Sequence, residues 1–289
     1  AFRKERPISV AKLALLPTYM HEEPKIFRNN HMEDVSLWMY LVLAILVFTG
    51  SCVDAIGGGG GIITLPAYLM VGLPPHAAVA SNKFSSSIGT AVSTYRYYKR
   101  GFCDTGLFIP IILITILGSF IGSQTVLLVP PNILKYVLIG ILPFIALFMF
   151  NKPAVKTVNL MVNKDRWWMT KLVIIVFCIG FYDGFYGPGT GTFLIIAMTM
   201  YLNMDAKHAA GNTKIANLTS NVTALLVFIV QDQICYPLAI TGAMFSILGH
   251  YVGASLLIHK GSCLVRPVII IVLVMLFIKV LYDLKVLGF

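Results

Sequence analysis

Asp54-Ala-Ile-Gly-Gly-Gly-Gly-Gly-Ile-Ile-Thr-Leu-Pro66 sets five consecutive glycines between a long apolar run and a short one. Each glycine costs about 1 kcal/mol against alanine inside a helix, so a helix entering this stretch is expected to break there. A second acid-and-glycine stretch, Asp183-Gly-Phe-Tyr-Gly-Pro-Gly-Thr-Gly-Thr192, recurs later in the chain. Two such breaks at matching places in a very apolar chain predict interrupted transmembrane helices around a central site.

Composition supports that setting. Hydrophobic residues make up 57% of the 289 and charged residues 12%, and mean hydropathy is +0.83, whereas about a quarter of the residues in a soluble chain are charged. The expected fold class is an all-α polytopic membrane protein with room for roughly ten spans of about 20 residues. A net charge of +10 raises the question of nucleic acid. The basic residues fall mostly in loops between apolar runs, as the positive-inside rule gives, so no nucleic-acid partner is expected. Cysteines 52, 103, 178, 235 and 263 show no CxxC or CxxH spacing, which indicates neither a disulfide framework nor a zinc site.

Outward from the first break, residues 37–53 read as a span, 62–71 as a piece too short to cross, and 76–98 as a helix rich in Ser, Thr and Ala that suits a bundle interior. Residues 105–129 and 132–150 are further spans. The second half repeats the order with a span at 167–185, a short piece to 202, a polar helix at 208–230, and spans at 236–259 and 263–284. An offset of 131 carries Lys83 onto Lys214, Gly118 and Gly122 onto Gly249 and Gly253, and Lys135 onto Arg266; the acids Asp54 and Asp183 are 129 apart. The expected organisation is therefore a polar tail at 1–34 without a signal-peptide core, a first transmembrane repeat at 35–150, a polar linker at 151–166, and a second repeat at 167–289. Each repeat would hold four full spans and one short broken helix. Arg96, Lys99 and Arg100 mark one loop, while its counterpart at 231–235 carries only Asp232. Opposite charge in equivalent loops predicts inverted repeats, with the Arg96 loop and central linker cytoplasmic and both termini outside.

Neither break contains G-x-x-x-x-G-K-[ST] or G-x-G-x-x-G, so the glycines do not read as a nucleotide loop. The pairs Gly118/Gly122 and Gly249/Gly253 read as close helix packing. Backbone left unpaired in the five-glycine run is tolerated at membrane depth only inside protein or along a cavity. The half-helix starting near Gly61 would present amides and a dipole to an anion. Lys83 and Lys214 lie within matching polar helices beside Asn82 and beside Asn212 and Thr213. An ionisable group at a membrane helix centre costs roughly 2.5 to 3.5 kcal/mol even on lenient scales, so a site role is expected over snorkelling. Asp54 and Asp183 read either as caps or lysine partners, or as proton- or cation-coupling groups. His76, His208, His250 and His259 read as loop and packing residues, because no carboxylate or cysteine accompanies them at metal-site spacing. The sequons at Asn217 and Asn221 fall inside a membrane helix, where glycosylation is not expected.

With these motifs assembled, the chain resembles the sulfite exporter TauE/SafE family of membrane transporters. The resemblance rests on D-x-x-G-G-G-G followed by I-I-T-L-P, on A-S-N-K at Ala80 to Lys83, and on G-F-Y-D-G-F-Y-G-P-G-T-G-T with H-A-A-G-N-T-K-I-A-N. It implies an inner-membrane transporter of small sulfur-containing anions, such as sulfite or organosulfonates, coupled to an ion gradient. Carried over by position, the motif residues are Asp54, Gly57 to Gly61, Asn82 and Lys83, then Asp183, Gly187 to Gly189, Asn212, Lys214 and Asn217. Pro188 and Thr190 make the second break differ from the first.

The expected anion cradle comprises Gly58, Gly59, Gly60, Gly61, Asn82, Lys83, Gly187, Pro188, Gly189, Asn212, Thr213, Lys214 and Asn217, with Asp54 and Asp183 as coupling groups. The expected partners are a small anionic substrate and the lipid bilayer, with homo-oligomerisation left open. No cofactor, metal or enzymatic activity is expected, since no nucleophile–base or metal-binding constellation appears. A passive anion channel and a carrier of another small organic anion, such as a carboxylate, remain the alternatives.

Overall fold

The computed structural model of the chain describes residues 36–130 and 166–260, together with 264, 268 and 271. Every regular element among them is helical: α1 Leu37–Gly57, α2 Gly61–Met70, α3 Pro75–Lys99, α4 Phe108–Leu128 after a single 3-10 turn at Thr105–Leu107, α5 Trp168–Phe185, α6 Thr190–Tyr201, α7 Ala206–Val230 and α8 Tyr236–Lys260. The expected tail at 1–34, the span at 132–150, nearly all of the linker at 151–166 and nearly all of the span at 263–284 lie outside the described residues.

Among the described residues, five stretches are long and apolar enough to cross a bilayer: Leu37–Gly57, Thr105–Leu128, Trp168–Phe185, Ala206–Val230 and Tyr236–Lys260. Their outward faces carry large exposed apolar side chains such as Ile45, Leu113, Ile174, Leu226 and Met244. That surface is costly in water and at ease in lipid; the chain is a membrane protein. Helix α3 falls outside this set and is a helix of the interior, with Ser81, Asn82, Lys83, Ser85, Ser87, Thr90 and Ser93 all buried.

The first span continues one turn beyond the expected Val53, so Asp54 lies in the last turn of α1. Gly58 closes it in the left-handed conformation, φ +75°, and its amide donates to the Asp54 carbonyl at 2.8 Å. Helix α2 then folds back along α1. A Cβ on Gly50 would fall 2.6 Å from Thr64 Cγ2, and one on Gly60 would fall 2.2 Å from the Gly50 carbonyl oxygen. Ten residues rise only about 15 Å, so α2 reaches about half the thickness of a bilayer core. The second break is shorter than expected, because helix resumes at Thr190 and takes Gly191 into its first turn.

Small residues set the packing. Gly118 and Gly122 of α4 lie against the α5 backbone at Phe177 and Phe181, and Gly249 and Gly253 of α8 lie against α1 at Phe48 and Cys52. In both pairs the partner number rises with the glycine number, so each pair runs parallel. Lys83 and Thr94 of α3 reach Asn221 and the Lys214 carbonyl of α7, respectively. The order reverses there, so α3 and α7 cross antiparallel.

Candidate functional site

The two breaks touch. A Cβ on Gly58 would fall 2.3 Å from the Gly191 carbonyl carbon, and one on Gly191 would fall 2.5 Å from Gly58 Cα. The Thr192 amide donates to the Gly58 carbonyl at 3.2 Å, and Thr192 Oγ1 donates to the Gly57 carbonyl at 2.7 Å. Carbonyls freed where α1 ends are thus taken up by the start of α6. Only glycine permits the approach.

Two ion pairs flank this crossing, and each joins the halves of the chain; Lys83, Asp183 and Lys214 are buried and Asp54 is partly exposed. Lys83 Nζ lies 3.0 Å from Asp183 Oδ1 and donates to Asn221 Oδ1 at 2.9 Å. Lys214 Nζ lies 2.7 Å from Asp54 Oδ2 and also donates to the Asp54 carbonyl. Each ammonium therefore serves a carboxylate in the last turn of a broken helix, the end that favours positive charge. The Gly60 amide donates to Asp54 Oδ1 at 3.2 Å, which ties the start of α2 to the same carboxylate.

A small cavity, about 30 Å³, opens between the pairs, room for about two waters. Of the expected cradle, Gly58, Gly60, Gly61, Asn82, Lys83, Gly187 and Asn217 line it, with both acids Asp54 and Asp183. Lys214 reaches it only through Asp54. Gly59, Pro188 and Gly189 belong to the breaks without lining the cavity; the Pro188 carbonyl accepts from Tyr182 Oη at 2.7 Å.

Asn212 and Thr213 are placed elsewhere. Asn212 Oδ1 accepts from the Asp104 amide at 2.9 Å, and Thr213 Oγ1 faces Met198 Sδ at 3.9 Å. Asn212 fastens the α3–α4 loop onto α7, where Phe102 O presses against Gly211. The reason is helical geometry: on α7, positions 214, 217 and 221 share a face, whereas 212 lies nearly opposite.

Several lining residues lie outside the expected set, among them Thr64, Asn221 and His250. Asn221 lines the cavity and accepts from Lys83; the spacing Lys214, Asn217, Asn221 was the available signal. His250, expected to be a packing residue, also lines the cavity. Its Nε2 lies 3.8 Å from Asp54 Oδ2 and its Nδ1 lies 3.0 Å from Ser93 Oγ. Gly89 makes the room, since a Cβ there would fall 2.5 Å from His250 Cδ2. No sequence signal pointed to that pairing. Among the described residues, no group of three or more His, Cys, Asp or Glu side chains could hold a metal ion.

Comparison with known proteins adds the family level. The model of the family described as sulfite exporter TauE/SafE matches residues 42–280. The chain is 34% identical over 253 residues to a "Probable membrane transporter protein" of Haemophilus influenzae, covering 86% of this chain and 97% of that protein. It is 31% identical over 252 residues to a protein of the same description, ORF9, from Sinorhizobium, covering 87% and 96%. It is 30% identical over 254 residues to the "Probable membrane transporter protein YfcA" of Escherichia coli, covering 88% and 94%. No solved structure matches the chain.

Proposed function

The chain belongs to the sulfite exporter TauE/SafE family of membrane transporters, and from that premise we propose that it exports small sulfur-containing anions, sulfite or organosulfonates, across the inner membrane by alternating access. The observation that carries the substrate charge is Lys83, buried in α3, lining the cavity where two helix breaks meet. Buried lysine is retained at membrane depth where it serves a ligand or a pathway. Asn82 and Asn217 line the same cavity beside Lys83 and would orient an anion held there, and Lys214 bears on it through Asp54.

The ion pairs give the mechanism its shape. An entering anion competes with Asp183 for Lys83, so binding loosens a contact that joins the two halves. Asp54 and Asp183 then carry the charge that couples movement to an ion gradient. The smallness of the cavity suits a closed form that opens alternately, rather than a standing channel. The antiparallel crossing of the equivalent helices α3 and α7 supports two inverted repeats, 35–150 and 167–289, joined by the linker at 151–166.

Flux of labelled sulfite into vesicles reconstituted with the purified protein tests this reading. The charge-balanced variant Lys83→Met with Asp183→Asn should abolish flux while the protein remains folded. Flux equal to the parent's sinks the cradle assignment, a clear preference for carboxylates removes the sulfur reading alone, and failure to build a gradient under any imposed ion gradient leaves a channel.

A further inference from the structure

Four buried side-chain oxygens around the cavity have no hydrogen-bond partner among the described residues: Thr64 Oγ1, Asn82 Oδ1, Asp183 Oδ2 and Asn217 Oδ1. Their residues are only 4, 6, 4 and 5% exposed, and all four line the same cavity from four different helices, α2, α3, α5 and α7. Leaving one such oxygen unpaired costs about 1 to 3 kcal/mol. Four acceptors around one space, beside a Lys83 ammonium already given to Asp183 and Asn221, mark a place for a further donor or a cation.

We propose that this cavity is a sodium-ion site, with Thr64, Asn82, Asp183 and Asn217 supplying oxygen ligands. Carboxylate, amide carbonyl and hydroxyl oxygens are the donors that hard cations take. Only one carboxylate oxygen is free, since Asp183 Oδ1 is held by Lys83, and that charge suits a monovalent ion. Asp183 lies in the last turn of α5, where the helix dipole also favours a cation.

The coupling role of the site rests on the transport reading above; cation binding does not. Asp54 with Lys214 and Asp183 with Lys83 balance one another, so the two ion pairs contribute no net charge to the site. A lone anion entering it would carry uncompensated charge into a low-dielectric space. Sodium bound beside the anion restores neutrality, so each ligand tightens the other by the same factor. This mutual tightening holds for net movement in either direction.

The test is equilibrium binding of radioactive sodium to the full chain in lipid nanodiscs, in sulfite-free choline buffer at fixed pH. Saturable binding is expected, weakened at least tenfold by Thr64→Val and by Asn217→Ala. It should be unchanged by Thr115→Val, which removes another buried, unpartnered hydroxyl that does not line the cavity. Thermal melts of each variant separate lost ligands from lost fold, and Thr64→Val, being nearly isosteric, keeps the test open if Asn217→Ala unfolds. Absence of saturable binding in the folded parent, or binding indifferent to both ligand variants, overturns the site and returns the four oxygens to water. Sulfite flux at full rate without sodium binding removes this site and leaves the anion reading. Sodium binding without sulfite flux does the reverse.

Discussion

Lys214 on α7 neutralises Asp54 on α1 across 160 positions of sequence, with Nζ 2.7 Å from Oδ2 and a second bond to the Asp54 backbone carbonyl. The pair joins the two halves of the chain at the end of a broken helix, and Lys83 with Asp183 does the same at the other break. Removing one member of a buried pair strands the other charge and costs about 3 to 5 kcal/mol, whereas replacing both by apolar groups is often close to neutral. Lys214→Met alone should therefore lower the melting temperature far more than Lys214→Met with Asp54→Leu. Melts in detergent that ranked the double variant at or below the single one would show that the pair is not what Lys214 contributes to the fold.

Gly58 bears two constraints at once, a left-handed φ of +75° and a backbone neighbour 2.3 Å from where a Cβ would sit. Gly72 bears only the first: its φ is +88° and nothing lies within 4 Å of the added atom. Gly72→Ala is expected to cost about 1 to 2 kcal/mol from conformation alone. Gly58→Ala, which must push α6 off α1, should exceed about 4 kcal/mol, a range kept for special mechanisms. Comparable losses in the two variants, measured by unfolding in detergent, would deny the contact between the breaks.

Tyr97 is fully buried and its hydroxyl donates to the Ala55 carbonyl at 2.6 Å. That carbonyl lies in the last turn of α1, where no helical amide is left to pair with it. Tyr97→Phe should cost about 1 to 3 kcal/mol by leaving it unpaired. The equivalent position in the second half, at the offset of 131, already holds Phe228, and there Tyr182 bonds the break instead, at the Pro188 carbonyl. Phe228→Tyr should therefore give no matching gain. A stability gain from Phe228→Tyr equal to the loss from Tyr97→Phe would show the breaks to be braced alike.

What the sequence made legible was governed by local physics. The glycine breaks, the restart of helix at Gly61, the interior character of α3 and the burial of Lys83 and Lys214 follow from propensity, polarity and repeat spacing. Which partner each lysine meets did not follow, because Asp54 and Asp183 are reached across the fold and the periodicity of one helix says nothing about its neighbour. Asn212 neighbours Lys214 in sequence, but 100° per residue turns it away from the lysine's face. Asn221 lies two turns along that same face, which is the spacing that marks it. His250 could not be found from its own surroundings, since the space it occupies is created by Gly89 on another helix.

That space separates the halves chemically and can be tested as a unit. At the offset of 131, His250 and Gly89 correspond to Ser119 and Ser220, which hydrogen-bond to each other at 3.0 Å in the first half's version of the contact. Overfilling a packed interior costs about 1 to 3 kcal/mol, so Gly89→Ser alone should destabilise by driving a side chain into His250 and Ser246. His250→Ser alone should lose the imidazole's packing and its bond to Ser93. Together they recreate the serine pair of the other half, and Thr115, the counterpart of Ser246, shows that a larger neighbour is accommodated there. The double variant should therefore be more stable than the sum of the single losses by at least about 1 kcal/mol, the sign of residues in direct contact. Strict additivity in a double-mutant cycle, measured by thermal unfolding, would show that Gly89 is not the reason His250 reaches Asp54.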